Sequence, residues 1–204
     1  MNQGIRNVLE RIHNLTWEYR LGIATRGKGS AETSDDEHVY YGSVQYPTIR
    51  SVLSRLSLKP NDVFVDLGCG KGRVVCCAAQ QEVKEVIGIE YSRDLALLAE
   101  ENSRKMKGRK SPIRIIHSPV EDFDYAEGTA FYMFHPFGPR TLQAVIAKLG
   151  AIHQRDRRPI RMAYVWPMHE SVLRQQTWLM EFDRWEPQNP LSRGHLISFW
   201  KTAE

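Results

Sequence analysis

The sequence is poor in cysteine and has no long hydrophobic run. Its 204 residues include three cysteines, Cys69, Cys76 and Cys77, whose spacing fits neither a disulfide framework nor a metal site. The adjacent Cys76 and Cys77 cannot easily bridge each other, which indicates a reducing compartment. No apolar run approaches the roughly 18 residues that span a bilayer, and the first 20 residues carry too much charge for a secretory signal. We therefore expect a cytoplasmic protein with no structural metal and no membrane partner.

The sequence also lacks a large excess of basic over acidic residues. The sequence has 28 Lys and Arg against 24 Asp and Glu, a net charge of +4. Basic residues gather in residues 104–110 and 153–161, which we expect on surface connections. Aromatic residues are not interleaved with them, so a solvated surface is favoured over a nucleic-acid interface. The exposed faces show no decisive apolar stripe, which leaves the oligomeric state open.

What the sequence does contain is an alternation of helices and strands. Residues 3–20 carry apolar side chains at helical spacing, and Pro47 suits the first turn of a second helix. Ser92 is a predicted helix N-cap, and Gly150 a predicted helix end. Five strands are predicted at "VFVDL", "KEVIGIE", "IRIIHS", "TAFYMFH" and "IRMAYVW", followed by two closing strands after residue 177. Apolar strands separated by helices predict a parallel sheet that is covered on both faces.

The stretch "VFVDLGCGKGR", residues 63–73, turns from an apolar strand through three alternating glycines. A P-loop requires Ser or Thr after its lysine, but Gly72 follows Lys71. The dinucleotide fingerprint requires a glycine where Arg73 stands. Asp66 would repel a pyrophosphate, whereas it suits a ligand with a cationic end, such as the ammonium group of S-adenosylmethionine.

A second carboxylate, Glu90, ends the next predicted strand, where it can accept hydrogen bonds from two ribose hydroxyls. Together, "VFVDLGCGKGR" and "VIGIEYSRDLALLAEEN" resemble the class I S-adenosylmethionine-dependent methyltransferases, and the match covers roughly residues 40–150. The cofactor residues that this resemblance implies are Asp66, Gly68, Cys69 and Gly70 for the methionine part, Glu90 for the ribose and Tyr91 for the adenine.

The resemblance also implies the fold and its division. We expect an α/β, Rossmann-like, doubly wound and mostly parallel seven-stranded sheet whose last strand is antiparallel, with helices on both faces. Residues 1–45 would form an N-terminal helix and a lid-like loop, and residues 46–204 the cofactor-binding domain.

Two further segments narrow the resemblance. "YYGSVQY" and "FHPFGPRTL" are similar to histone-lysine methyltransferases that lack a SET domain, and to bacterial methyltransferases with Asn-Pro-Phe at the latter site. His135 replaces that Asn. Neutral imidazole can accept a hydrogen bond or remove a proton, so His135 is the catalytic candidate for nitrogen or oxygen methylation. The alternative is a structural role that pins the loop.

Other site assignments leave alternatives open. Pro119 stands where class I enzymes often carry an acid that contacts adenine. Glu121 and Asp122 are the substitutes, and either can instead cap the next segment. The aromatic wall of the acceptor pocket is assigned to Tyr41, Tyr46, Phe137 and Trp166, with His169 beside it and core packing as the alternative. Tyr40 to Tyr46 are expected to close over the cofactor, which also makes Tyr46 a predicted cofactor contact.

These features predict a methyltransferase with S-adenosylmethionine as its cofactor. We expect transfer to a nitrogen or oxygen of a small-molecule acceptor. The alternatives are a protein-lysine methyltransferase and a non-catalytic S-adenosylmethionine-binding protein. The intact Asp66, Gly68, Gly70 and Glu90 argue against the last of these.

Overall fold

The computed structural model describes residues 3–27, 44–188 and 194–203. The helices in this part of the chain are α1 (Gln3–Leu21), α2 (Tyr46–Leu56), α3 (Arg73–Ala78), α4 (Arg93–Lys105), α5 (Pro139–Asp156) and α6 (Ser171–Arg174). The strands are β1 (Val63–Leu67), β2 (Glu85–Glu90), β3 (Ile113–His117), β4 (Ala130–Phe134), β5 (Arg161–Val165), β6 (Leu179–Trp185) and β7 (Ile197–Thr202).

The strands form one seven-stranded sheet in the order β3-β2-β1-β4-β5-β7-β6. The first five are parallel, and β7 runs antiparallel to both β5 and β6. The predicted α/β fold is therefore confirmed. The strand order reverses between β1 and β4, and in open sheets of this kind ligands bind outside the carboxyl ends of the strands at such a point.

Two apolar layers cover the sheet, one on each face. Helices α2 and α3 contribute Ile49, Leu53 and Val75 to one layer. Helix α5 contributes Leu142 and Ile146 to the other. Because β1 is buried along its whole length, its near-continuous apolar sequence is explained by burial on both faces.

The predicted helix starts are confirmed where the structure describes them. The Ser92 hydroxyl accepts a hydrogen bond from the Leu95 N–H at 3.5 Å and caps α4. Pro47 lies in the first turn of α2. The prediction that Gly150 ends a helix is wrong, because α5 continues through it to Asp156.

The glycine at position 150 serves packing instead. A Cβ on Gly150 would lie 2.8 Å from Nε1 of Trp178, so only a residue without a side chain lets Trp178 approach α5. The helix ends at Arg157, which has a left-handed φ of 51°.

Helix α1 forms over the predicted residues but faces the opposite way from an ordinary amphipathic helix. Its polar Asn14 and Glu18 are buried, whereas its apolar stripe lies in solvent. The prediction that no exposed face carries a decisive apolar stripe is therefore wrong. Among the described residues, no helix is both long and apolar enough to cross a membrane. The division of the chain at residue 45 stays a prediction.

Candidate active site

Asp66 lies in β1 next to the point where the strand order reverses, and only 2% of it is exposed. It is aligned with Gly88 on β2 and with Tyr132 on β4. Burial, and then the charge of Glu90, raise the pKa of Asp66 well above its ordinary value. Nothing in the described part of the chain donates a hydrogen bond that would lower it. Such a carboxylate is left without a partner until a cationic ligand group arrives.

The backbone conformation of the glycine loop after β1 explains why the loop is rich in glycine. Gly68, Gly70 and Gly72 all have left-handed φ values, of 79°, 54° and 79°. A Cβ on Gly68 would lie 2.6 Å from Cβ of Pro136, so the loop after β4 packs directly on the glycine loop. Since L side chains rarely adopt these φ values, the alternating glycines are required by the backbone itself.

Cys69 fills space inside this loop. Its side chain is buried, and a Cβ on Gly88 would lie 2.8 Å from its Sγ, so the glycine on β2 makes room for the thiol. Burial, and then the nearby Asp66 and Glu90 carboxylates, raise the pKa of the Cys69 thiol well above its usual value. The thiol is therefore protonated at neutral pH, and its contribution is its small size and position.

Glu90 ends β2 and holds two backbone segments together. Its carboxylate accepts hydrogen bonds from the Gly70 N–H at 2.8 Å and the Ser92 N–H at 2.9 Å. Burial raises the pKa of Glu90, although these hydrogen bonds oppose the rise. A carboxylate has about four acceptor sites, so Glu90 can hold the glycine loop and still accept from ribose hydroxyls.

The residues present fit S-adenosylmethionine. Asp66 offers a buried carboxyl group that an ammonium group would favour in its ionised form, and Glu90 offers acceptors for the ribose. The Tyr132 hydroxyl beside Asp66 is buried and has no hydrogen-bond partner among the described residues. A polar atom of this kind is costly unless a ligand or water satisfies it. Tyr91, which follows Glu90 in the chain, is 51% exposed.

The other predicted cofactor and pocket residues lie at positions that give less evidence for ligand binding. Glu121 and Asp122 are exposed on the short 3-10 helix Val120–Asp122, and no described residue is hydrogen-bonded to either carboxylate. Phe137 is 5% exposed and packs in the core layer under α5. Tyr41, and the part of the predicted closing segment from Tyr40 to residue 43, lie outside the described residues.

Tyr46 is a core residue behind the glycine loop. It is fully buried, its ring stacks on Trp17 with centroids 5.8 Å apart, and its hydroxyl lies 3.2 Å from Oγ1 of Thr25. Burial strongly raises the pKa of Tyr46. The Arg73 guanidinium covers the other side of the ring at 4.6 Å. The structure thus gives Tyr46 the alternative role of core packing.

Arg73 is a buried residue whose structural role was missed from the sequence. It served there only to weaken the dinucleotide hypothesis. In the structure Arg73 is buried. Its Nε donates a hydrogen bond to Oγ1 of Thr25 at 2.8 Å, and one terminal nitrogen donates to the Val44 carbonyl at 3.0 Å. The other terminal nitrogen lies 3.6 Å from a carboxylate oxygen of Glu18. A buried arginine with satisfied donors fixes the chain on both sides of residues 28–43 to the helix that follows the glycine loop.

Asn102 and Lys71 complete this attachment. The Asn102 amide of α4 accepts from the Ala24 N–H at 2.8 Å and donates to the Ala24 and Lys71 carbonyls at 3.1 and 2.9 Å. Nζ of Lys71 donates to the Arg26 carbonyl at 2.9 Å. The segment before residue 28 is therefore fastened to the loop that would hold the cofactor.

An aromatic and imidazole cluster lies at the carboxyl ends of β4 and β5. The ring of His135 lies 5.2 Å from that of Trp166 and 5.2 Å from that of His169, centroid to centroid. His195 stacks on Trp166 at 5.1 Å and contacts Phe134 at 5.2 Å. The structure thus brings the predicted His135, Trp166 and His169 together.

His195 belongs to this cluster and was also missed. It enters because β7 runs antiparallel beside β5, so that the Trp166 N–H donates to the Leu196 carbonyl at 2.9 Å. Only the strand order reveals this neighbour.

Two members of the cluster have strained backbones. His135 and Trp166 have φ values of 36° and 51°, in the left-handed region that residues other than glycine seldom adopt. Each such residue costs about 1–3 kcal/mol, and such strain is concentrated at functional sites. The two strained residues directly follow the neighbouring strands β4 and β5, and their ring centroids lie 5.2 Å apart.

The protonation state of the cluster follows from its burial. Burial, and then the neighbouring His169, lower the pKa of His135, and burial lowers the pKa of His195. Both rings are therefore neutral at pH 7. Nδ1 of His135 is buried and has no hydrogen-bond partner within the described part of the chain. No group of three or more His, Cys, Asp or Glu among the described residues is arranged to hold a metal ion.

Comparison with known proteins agrees with this geometry. Residues 23–121 match the family model described as "Histone methylation protein DOT1". The chain is 31% identical over 112 residues to an H3 lysine-79-specific histone-lysine N-methyltransferase of Dictyostelium discoideum, which covers 48% of this chain and 6% of that protein. It is also 31% identical over 100 residues to a protein-lysine N-methyltransferase of Saccharolobus islandicus (strain REY15A), which covers 48% of this chain and 60% of that protein.

Solved structures share the fold. Magnesium protoporphyrin IX methyltransferase of Synechocystis PCC 6803 with bound S-adenosylmethionine aligns over 100% of this chain and 98% of its own, with a TM-score of 0.60 and 14% identity. The chain spans less than two thirds of the length of each of these two sequence relatives. Its sheet order gives it the fold of the class I S-adenosylmethionine-dependent methyltransferases, and residues 23–121, which include the glycine loop with Asp66 and Glu90, are similar to the histone methylation protein DOT1 family.

Proposed function

We propose that the chain methylates the side-chain amine of a lysine in a protein. The observation that carries the proposal is the cluster of His135, Trp166 and His195, which is partly open to solvent at the carboxyl ends of β4 and β5. A lysine presented from another molecule can reach such a site by its long side chain.

The cluster has the properties that an amine acceptor requires. S-adenosylmethionine supplies an electrophilic methyl group on a sulfonium sulfur. A lysine ammonium must lose a proton before its lone pair can attack, and the neutral His135 imidazole has an acceptor nitrogen for that proton. The face of Trp166 attracts the ammonium form before deprotonation and packs on the aliphatic stem. Positioning of this kind supplies most of the acceleration, about 7–11 kcal/mol in well-oriented reactions.

The sequence relatives support a protein acceptor. The relative from Dictyostelium discoideum is named a histone-lysine methyltransferase. The relative from Saccharolobus islandicus is named a protein-lysine methyltransferase. Each of them matches 48% of this chain, so their substrates enter here as part of the proposal alone.

A small-molecule acceptor is the second candidate. The net charge of +4 favours it over a histone-like substrate, because a basic chain repels a basic peptide at long range. His135 can equally remove a proton from a hydroxyl group. A lysine in a neutral or acidic protein segment stays compatible with this charge.

Labelling separates the two candidates. Cell extract is divided by dialysis into a protein fraction and a low-mass fraction, and each is incubated with the chain and S-adenosylmethionine that carries a deuterated methyl group. We expect lysine-containing peptides of the protein fraction to gain the label by mass spectrometry. Label that appears solely in low-mass compounds overturns the proposal in favour of the second candidate. Asp66→Ala, which we expect to bind the cofactor more weakly, is the reference for both arms, with the cofactor kept at a concentration that does not saturate the variant.

A further inference from the structure

Helix α1 carries an apolar stripe that the described residues leave uncovered. The exposed large apolar side chains on this helix are Ile5 (55%), Val8 (54%), Leu9 (41%), Ile12 (54%), Leu15 (45%) and Tyr19 (81%). On the order of 600 Å² of apolar surface is presented in this way, at the upper limit of what a typical monomer exposes in one patch.

The orientation of α1 is fixed by contacts on its other side. The Glu18 carboxylate accepts from the N–H and the hydroxyl of Thr25 at 2.8 and 2.9 Å, and Trp17 stacks on Tyr46. A rotation that buried the apolar stripe would break these bonds and leave Glu18 without partners. Since an unpaired buried carboxylate is expensive, the stripe stays on the outside.

The spacing of the stripe is that of a helix-pairing seam. Ile5, Ile12 and Tyr19 are seven residues apart, and Val8 and Leu15 fall between them, which gives apolar residues at alternating intervals of three and four. This narrow stripe is the a and d pattern of a coiled coil. A helix that lies in a membrane surface has a wider apolar face.

We propose that α1 pairs with α1 of a second copy of this chain across a two-fold axis. A self-complementary stripe is what an isologous interface requires, because the same patch must serve both partners. Two stripes together bury about 1,200 Å², which reaches the lower end of specific protein interfaces. The nineteen residues of α1 give the paired helices a length of about 28 Å.

The paired helices lie beside the segment that leads to the glycine loop. α1 is joined to residues 23–27, and these are bonded to Arg73, Asn102 and Lys71. Dimerisation therefore stabilises the attachment of this segment. The inference does not depend on which acceptor is methylated.

The oligomeric state of the full chain tests the proposal. Light scattering after size exclusion should give twice the mass of one chain for the wild type. Ile12→Asp puts a charge in the centre of the stripe and should give one chain mass, with an unchanged circular dichroism spectrum and unchanged binding of S-adenosylmethionine. Arg20→Asp introduces the same side chain at an exposed position off the stripe and should leave the dimer intact.

Single cysteines report the pairing itself. The native Cys69, Cys76 and Cys77 are buried and do not interfere. Under mild oxidation, chains with a cysteine at Ile5, Ile12 or Tyr19, tested singly and as mixtures, should form a disulfide-linked dimer at one or more stripe positions. Linkage of Ile5→Cys to itself indicates parallel helices, and linkage of Ile5→Cys to Tyr19→Cys indicates antiparallel helices. Glu82→Cys, which lies after α3, should not link.

Three results would overturn the proposal. A monomeric wild type that binds vesicles of anionic lipid, with binding lost in Ile12→Asp, would assign the stripe to a lipid surface. A monomer that ignores such vesicles would mean that the chain covers its own stripe. A wild-type dimer that Ile12→Asp leaves intact would assign the dimer contact to another surface.

Discussion

The carboxylates of Asp66 and Glu90 lie at the ends of two adjacent parallel strands, close enough for the charge of Glu90 to raise the pKa of Asp66. Glu90 is stabilised by two backbone N–H groups, whereas no described residue donates to Asp66. The two neighbouring carboxylates thus differ in their hydrogen bonding. Glu90 is bonded within the protein, and Asp66 is available to a ligand. From this difference we expect the loop to favour a ligand with a cationic end.

The first prediction concerns the stability of the cofactor-free protein. Because the pKa of Asp66 is raised on folding, the folded protein binds more protons than the unfolded chain, and Asp66 makes folding less favourable as the pH rises above its unfolded pKa. Asp66→Asn removes this charge. We expect the variant to be more stable than the wild type at pH 7 in urea unfolding, by about 1–3 kcal/mol, with the difference shrinking toward acid pH.

Asp62 provides the matched control for that measurement. Burial alone would raise the pKa of Asp62, but hydrogen bonds from Arg161, the Lys59 N–H and Thr129 outweigh it and lower the pKa. Asp62→Asn should therefore destabilise the protein at pH 7, with a loss that shrinks as the pH falls. Equal and destabilising effects at both positions would contradict the assigned difference.

The second prediction is proton release on cofactor binding. A cationic ammonium beside Asp66 favours its ionised form, so binding lowers a pKa that burial has raised. In the pH range between the ordinary Asp value of 3.8 and the raised pKa of Asp66, titration calorimetry in two buffers with different ionisation enthalpies should show release of up to one proton. Asp94→Asn, an exposed acid in the first turn of α4, should leave this release unchanged.

The third prediction concerns His135. Its lowered pKa makes the ring neutral at pH 7, so kcat/KM should fall when the pH drops through that pKa. His135→Asn keeps an acceptor and tolerates the left-handed backbone better than most residues. We expect a loss of about 10²–10⁴ in kcat, the usual contribution of general acid–base catalysis, disappearance of the acid limb and unchanged cofactor binding. An unchanged pH profile would leave His135 with its structural role.

The fourth prediction tests the attachment of the N-terminal segment. Arg73→Ala leaves Glu18 buried with fewer partners and removes the bond to the Val44 carbonyl. The free energy of unfolding should fall by about 3–5 kcal/mol, measured in urea. Arg104→Ala, at an exposed position of α4, should change it by no more than about 0.5 kcal/mol. Comparable small effects at both sites would show that Arg73 does not hold the segment.

The fifth prediction sets packing against helix propensity at Gly150. Alanine is favoured over glycine in a helix interior by about 1 kcal/mol, but its Cβ would lie 2.8 Å from Nε1 of Trp178. Overpacking costs about 1–3 kcal/mol, so Gly150→Ala should lower the melting temperature. Gln154→Ala, exposed on the same helix, should not. A stabilised Gly150→Ala would mean that Trp178 moves aside at little cost.

The parallel sheet and the cofactor loop were predictable because their signals are local. Asp66 and the glycines after it are contiguous, and Glu90 ends the next strand. The role of Gly150 was not predictable, since a glycine near a helix end is usually a cap, and only the position of Trp178 on the incoming β6 segment explains it. His195 and Arg73 were missed for the same reason, because their partners are far away in the sequence.

The side of α1 that packs against the rest of the protein could also not be predicted from the sequence. Its apolar spacing predicts a helix, but not whether the stripe or the polar side packs on the domain. The bonds of Glu18 to Thr25 and Arg26 decide this, and nothing in the local pattern marks Glu18 as the buried acid.

Titration calorimetry with S-adenosylmethionine, S-adenosylhomocysteine and NAD tests the central claim most directly. We expect the wild type to bind the two sulfur compounds and not NAD. We expect Asp66→Ala to lose about 10- to 100-fold in affinity for S-adenosylmethionine, as for a charged hydrogen bond of about 1.5–3 kcal/mol, while its circular dichroism spectrum stays that of the wild type. Binding of NAD without either sulfur compound, or equal S-adenosylmethionine affinity in both proteins, would contradict the assignment of the glycine loop and of Asp66.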